Sequence, residues 1–332
     1  MGRSVFVLFL LGGLCFAWIL SGVIRSWRSS HSVKTSWTSP YINVAPGVSY
    51  RYFAEGDDLI HGSHSDALAL DVDMSVPGVR IRTAAENPSL QKGRVFASAH
   101  TVVDWCERQN ALAGVNGGFF GATQGETKQT EGLLVTGGKV HNAGRWVRSA
   151  NHPDQPFLRC ALGFTKEGRP RIGWVVSNAD NTLLAYNRPL DPTSHHGWGV
   201  DSAVACGPRL IAEGKRQITD REERLVSPLA LPRTFVAYDL EGNGPNAHPR
   251  HLLMGIAMQM TYQDVADFVQ RYFQQIDHTE CAEAMCLDGG ASSQLVFRDP
   301  GASQPFSPAS YVNARPSGVT VPTAILIESA PH

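Results

Sequence analysis

The chain lacks the devices by which many enzymes disclose their chemistry. It has no G-x-x-x-x-G-K-[ST], no G-x-G-x-x-G opening a helix after a strand and no G-x-S-x-G. Nucleotide-cofactor chemistry and the common serine-hydrolase arrangement therefore lose their support. No C-x-x-C pair or His-rich spacing marks a zinc site, and neither a metal nor another cofactor is expected. An excess of one charge sign is also missing. Lys and Arg number 29 against 30 Asp and Glu, for a formal net charge of -1, and no basic stripe appears, so a nucleic-acid partner is set aside. Repeats of fixed period are absent, and no long Pro/Ser or charge-run linker follows residue 45, which favours one compact unit.

What is present begins with an uncharged apolar run over residues 5–24, VFVLFLLGGLCFAWILSGVI. It is long enough for a helix to cross a bilayer core of roughly 30 Å. Arg3 precedes it, Arg25 and Arg28 follow it, and no small-residue cleavage site is visible, so an uncleaved anchor is expected rather than a removed signal peptide. The expected organisation is a membrane anchor or signal segment over residues 1–25, a flexible tether over 26–45 and a globular domain over 46–330. That domain would lie on the extracytoplasmic side of the membrane, where two cysteine pairings are conceivable, Cys281 with Cys286 and Cys160 with Cys206.

Residues 66–84 alternate apolar Leu68, Leu70 and Val72 with polar partners, turn through Pro77-Gly78 and alternate again, which predicts a hairpin with Asp71 and Asp73 on its solvated face. His61 and His64 fall in a Gly/Ser-rich loop before it. Residues 98–110 carry Val102, Trp105 and Cys106 at helical spacing, and residues 260–275 predict the clearest helix, with Thr261 and Asp264 placed as an N-cap pair. Residues 131–141 and 206–218 each read as a strand, a Gly-containing turn and a return strand. RTFVAYDL at 233–240 reads as a strand and VPTAILI at 321–327 as a central one. The expected fold class is α+β, a mainly antiparallel mixed sheet with a few packed helices in a single domain, preceded by the N-terminal membrane helix.

Two stretches share one design. ALAGVNGGFF ends an apolar run on Asn116 before Gly117 and Gly118, and AMCLDGGASS ends one on Asp288 before Gly289 and Gly290. Two such strand ends predict one site built between them, with glycines where a backbone must approach closely. Arg233, entering its strand after Pro232, is placed to clamp an oxyanion.

GVNGGFF, GPRLIAEGK, PRTFVAY, the helix after Thr261, LDGGASSQL and VPTAILI occur in an order that resembles the phosphodiester glycosidases over about residues 66–327. Ala291 stands where that family commonly has a third glycine, and residues 242–254 are unusually rich in Pro and His. The resemblance implies hydrolysis of the bond between a sugar's anomeric carbon and a phosphodiester oxygen. Phosphate leaves readily, so the protein's task is to stabilise the oxocarbenium-like sugar and the departing phosphate. On this reading Asp288 is nucleophile or base for water, Arg233 holds the phosphate and Asn116 orients a sugar hydroxyl or the water. The amides of Gly117, Gly118, Gly289 and Gly290 would donate to substrate oxygens, with Ser292 and Ser293 adding hydrogen bonds. Asp201, Glu131 and Asp180 are open candidates for a second carboxylate. The substrate would be a cell-envelope or exported glycan; a non-catalytic glycan-binding or envelope polysaccharide assembly protein of the same fold is the alternative.

Overall fold

The computed structural model describes residues 41–60, 65–149, 152–242, 247–299, 301, 306 and 311–329. The apolar run at 5–24, most of the tether, His61, His64 and residues 243–246 lie outside the described residues. Among those described, no helix is long and apolar enough to cross a membrane.

Three sheets close on one core. An eight-stranded sheet runs in the order Ile42–Ala45, Val48–Phe53, Ala67–Asp73, His251–Met260, Leu231–Asp239, Cys281–Cys286, Arg209–Ala212 and Lys215–Arg216. A five-stranded sheet places Ala113–Asn116 between Gln294–Phe297 and Ala324–Ser329, and a seven-stranded sheet is centred on Cys160–Phe164 and Ser202–Cys206. Every pairing among the described strands is antiparallel. Ile42–Ala45, assigned from sequence to the tether, is an edge strand paired with Val48–Phe53.

Period-two alternation explains how the largest sheet serves two cores. Leu68, Leu70, Val72, Val236 and Tyr238 point into the space shared with the other two sheets, where they meet Leu162, Val115 and Ile325. Their neighbours Ala67, Ala69, Phe235 and Ala237 point the other way, under the helix Tyr262–Tyr272. That helix starts as its sequence predicts: Thr261 Oγ1 accepts from the Asp264 amide at 3.2 Å and the Asp264 carboxylate accepts from the Thr261 amide at 2.8 Å. The shorter helix Val102–Gln109 has the same capping box and buries Val102, Trp105 and Cys106 on the outer face of the five-stranded sheet.

The predicted hairpin over 66–84 is not one. Ala67–Asp73 has both edges filled, by Val48–Phe53 and His251–Met260, while Val79–Ala84 pairs with Ala324–Ser329 in the five-stranded sheet. Local alternation reports which face of a strand is buried and carries no information about the partner. The proposed cysteine pairs also fail, because all five described cysteines are free and buried. Cys281 and Cys286 sit at the two ends of one strand, about 16 Å apart at the rise of an extended chain, beyond the reach of a disulfide. Cys160 and Cys206 face each other across a ladder, but the Cys160 thiol points to Met285 Sδ at 4.0 Å.

Asp71 is only half-exposed. It shares the helix-facing side of its strand, where Tyr272 Oη donates to Oδ2 at 2.7 Å, and burial pushes its pKa up. Nearby, His251 hydrogen-bonds Asp239 at 2.9 Å and is thereby held above the usual imidazole range. Asp277 completes this cluster with a buried Oδ2 that has no hydrogen-bond partner among the described residues, and burial, reinforced by Asp71, pushes it up to about 7. A carboxyl whose folded pKa is raised stabilises the fold below its unfolded pKa, and that contribution is lost as pH rises through the folded value. Asp277→Asn is therefore expected to raise stability at pH 8 by about 1–2 kcal/mol, discounted for partial exposure, with the gain vanishing toward pH 4. Denaturant melts of both proteins at the two pH values check this.

Candidate active site

The two Gly-Gly stretches meet. Cys281–Cys286 runs on through Leu287, whose amide donates to Thr234 O at 2.8 Å, and the next amide, that of Asp288, donates to Gly117 O at 3.2 Å. Asp288 thus stands where the eight-stranded sheet passes its chain to the five-stranded one. Asn116 fastens the junction. It is fully buried; Nδ2 donates to Asp288 O at 2.7 Å, and Oδ1 accepts from Thr234 Oγ1 at 2.7 Å and the Gln294 amide at 3.0 Å. These bonds give Asn116 a role beyond the one expected for it, orienting sugar or water: one Nδ2–H and Oδ1 bind the protein and position Asp288.

The first glycine pair serves packing. Gly117 N–H donates to Thr323 O at 2.9 Å and Gly118 N–H to Thr323 Oγ1 at 3.1 Å, so neither amide is free for a substrate. A Cβ on Gly117 would lie 2.4 Å from Thr323 Oγ1 and one on Gly118 2.2 Å from Ala205 O, so the strands themselves demand the missing side chains. The second pair is different. Gly289 N–H donates to Asp288 Oδ1 at 3.1 Å, while Gly290 has φ +61 and nothing within 4 Å of where its Cβ would stand. Gly290 is thus the glycine on the open side of the site. Ser292 hydrogen-bonds the Asp288 side chain, whereas Ser293 is fully buried and its Oγ has no hydrogen-bond partner among the described residues.

The electrostatics single out one carboxylate. Burial pushes Asp288 up to about 6 and Glu131 adds to the rise, against the pull of Ser292, the Gly289 amide and Lys128. Of the three candidates for a second carboxylate, Glu131 is thus the one beside Asp288. Asp201 is 3.4 Å from Arg80, and Asp180 accepts the Thr182 amide at 2.8 Å in an exposed turn.

Cations flank the pair. Arg233 is buried, with Nε donating to Met260 O and Nη2 to Leu229 O, each at 3.2 Å, and its guanidinium 4.0 Å from the Tyr262 ring centroid. Its Nη1 lies 4.0 Å from the Cβ position of Gly289, and no carboxylate among the described residues pairs with it. Lys128 donates to Thr320 O at 2.6 Å, and burial pushes its pKa down while Asp288 opposes the change. Arg159 stacks 5.0 Å from Phe157 and 5.5 Å from Phe119 and donates to Glu223 O. Burial lowers its pKa, opposed by Glu223 and Glu131 among others. The Glu223 carboxylate holds this wall, accepting from Cys160 N at 2.8 Å, Thr219 Oγ1 at 2.7 Å and Trp174 Nε1 at 3.0 Å.

The family model for phosphodiester glycosidases matches residues 109–328, which include all of these groups. The chain belongs to that family. Among solved structures it is similar to the catalytic domain of zebrafish N-acetylglucosamine-1-phosphodiester alpha-N-acetylglucosaminidase, auto-inhibited by its pro-peptide, with TM-score 0.50 and 17% identity over 88% of this chain and 87% of that one. It is also similar to a hypothetical protein from Synechocystis, with TM-score 0.56 and 14% identity over 88% of this chain and 64% of that one, so it spans less than two thirds of that protein's length. At these identities the likeness is one of fold. No curated protein matches the chain in sequence.

Two cations that the fold brings within electrostatic reach of Asp288 and Glu131, Lys128 and Arg159, were not expected from the sequence. Lys128 follows no pattern, since a lysine in TKQT reads as a solvated strand position. Arg159 did carry a signal: it is the lone charge in FLRCALGF, and an arginine inside an apolar run needs either an internal partner or a ligand.

Proposed function

We propose that this family member hydrolyses sugar-1-phosphodiesters at the anomeric carbon–oxygen bond. The observation that carries the reading is a carboxylate raised to about 6, Asp288, close to a buried cation, Arg233, that no carboxylate among the described residues neutralises. The bond from the anomeric carbon to the phosphate oxygen breaks with its electron pair going to the phosphate, which leaves as a phosphomonoester. Asp288 takes the proton of the water whose oxygen bonds to the anomeric carbon. Arg233 fits the departing phosphate, because a guanidinium already stripped of water and held by two carbonyls gains most from a dianion. Glu131 supplies a second negative charge for the oxocarbenium-like sugar.

The apolar run at 5–24 anchors the domain at 46–330 by the intervening tether, and its acceptor is a cell-envelope or exported glycan on the extracytoplasmic side. The length of that run and the arginines flanking it support the anchor. N-acetylglucosamine, which the zebrafish relative's name carries, is the first sugar to test. Incubation with a GlcNAc-α-1-phospho-mannoside in heavy-oxygen water is expected to release labelled GlcNAc and unlabelled mannose phosphate. Label in the phosphate would mean P–O cleavage and overturn the mechanism. No turnover on any sugar-1-phosphodiester of a panel, with glycan binding retained, would establish a non-catalytic binder.

A further inference from the structure

A cavity of about 730 Å³ has in its wall Glu131, whose charge is felt at Asp288, and Ala205, whose carbonyl crowds Gly118. Its charged lining is lopsided. Lys92, Arg94, Arg145 and Arg159 face it, and Glu131 is the only acid among the described residues that line it. In a chain with net charge -1 that local excess calls for a cause. None of the four cations pairs with a carboxylate among the described residues; Arg94 reaches only Gln129 Oε1, at 3.3 Å. A simple phosphodiester gives them no employment, since Arg233 already stands by Asp288 for the scissile phosphate.

We infer that this cavity is an acceptor subsite for a second anionic group, a phosphate or carboxylate carried by the acceptor one unit beyond the scissile phosphodiester. The inference rests on the hydrolytic reading above and adds to it the substrate class, a polyanionic acceptor rather than a neutral one. The geometry supplies both depth and charge. Phe119, Leu133, Val175 and Ala205 form an apolar floor, and half-buried Arg159 lies on Phe119 within it. Lys92 and Arg94 reach the rim from the turn between Glu86–Gln91 and Arg94–Ser98, and Arg145 from the loop after Lys139–Ala143. Like-signed charges around a concave, low-dielectric surface focus their field on what enters it. Glu131 repels an anion from the Asp288 side and so directs the second negative group toward the arginines.

The test uses the full chain and the double variant Arg94→Ala/Arg145→Ala, both positions being exposed and neither hydrogen-bonded to Asp288, Asn116 or Arg233. Two diesters of GlcNAc-1-phosphate are compared, one with a methyl acceptor and one with a glycerol phosphate acceptor. Wild type is expected to favour the second by about tenfold in kcat/KM at low salt, a preference that shrinks as salt is added. The double variant is expected to lose the preference with its rate on the methyl diester unchanged. Equal kcat/KM on both diesters in wild type, or a preference that survives in the variant, overturns the inference. Calorimetric titration with glycerol bisphosphate and with methyl phosphate separates the two readings. If neither diester is cut yet the bisphosphate binds wild type alone more tightly, the hydrolytic reading falls and the subsite stands. If the two probes bind alike, the subsite falls.

Discussion

Asp288→Asn is expected to lower turnover by orders of magnitude while making the protein more stable. Burial raises the Asp288 carboxyl to about 6, so at neutral pH the fold holds a charge it would release if it could. The sign follows from linkage. A raised carboxyl contributes stability that is complete below its unfolded pKa, near 3.8, and lost by the time pH passes about 6, so at pH 7.5 the ionised group is a net cost. Asparagine keeps an oxygen to accept from the Gly289 amide and Ser292 and carries no charge, so it is expected to gain about 2 kcal/mol at pH 7.5. In a domain of this size that is a rise of about 4–8 °C in Tm, absent near pH 4. Turnover is expected to fall by about 10²–10⁴, the usual contribution of a positioned base. Wild-type kcat/KM is expected to rise with pH and level off above about 6, because only the ionised carboxylate can take a proton from water. A variant that is both more stable and inactive identifies a group kept for chemistry; a stable variant with wild-type turnover removes Asp288 from the mechanism.

How much of this was legible depended on how local each feature is. Both helices follow from spacing, and the second also from its capping pair, because such signals span only a few residues; the Thr101–Asp104 capping box of the first appears only in the fold. The strand ends at Asn116 and after Cys286 follow from apolar runs that stop. Partnership was not legible: Val79–Ala84 alternates in the same way whether it folds back on its neighbour or pairs with a strand far along the chain. The glycines show the same limit in the site. Sequence predicts that Gly117, Gly118, Gly289 and Gly290 mark close approaches, and three of the four do, but to other parts of the protein. Thr323 and Ala205 crowd the first pair, and Pro232 O lies 3.0 Å from the Cβ position of Gly289. Asn116 illustrates the point most clearly, because a polar residue at a strand end beside glycines looks the same whether it faces a ligand or ties two sheets together.

That tie carries the second large prediction. Asn116→Ala leaves Asp288 O, Thr234 Oγ1 and the Gln294 amide without their partner, two of them on fully buried residues. Three bonds worth about 1 kcal/mol each, with the added cost of orphaned buried groups, put the loss at about 3–5 kcal/mol, a fall of roughly 10 °C in Tm. The effect on chemistry is separate and is read well below the melting transition. Asp288 is fixed by its own carbonyl to Asn116 and by its amide to Gly117, and removing the first of these frees the carboxylate to drift. A displacement of about 1 Å costs roughly 10² in rate, so kcat is expected to fall by that factor with KM little changed. Thr234→Val is the control, since it breaks one of the three bonds and spares the one to Asp288; it is expected to lose about 1–2 kcal/mol and keep most of its turnover. Similar kcat in Asn116→Ala and Thr234→Val would mean that Asn116 serves stability alone, and that the Gly117 bond suffices to hold Asp288 in place.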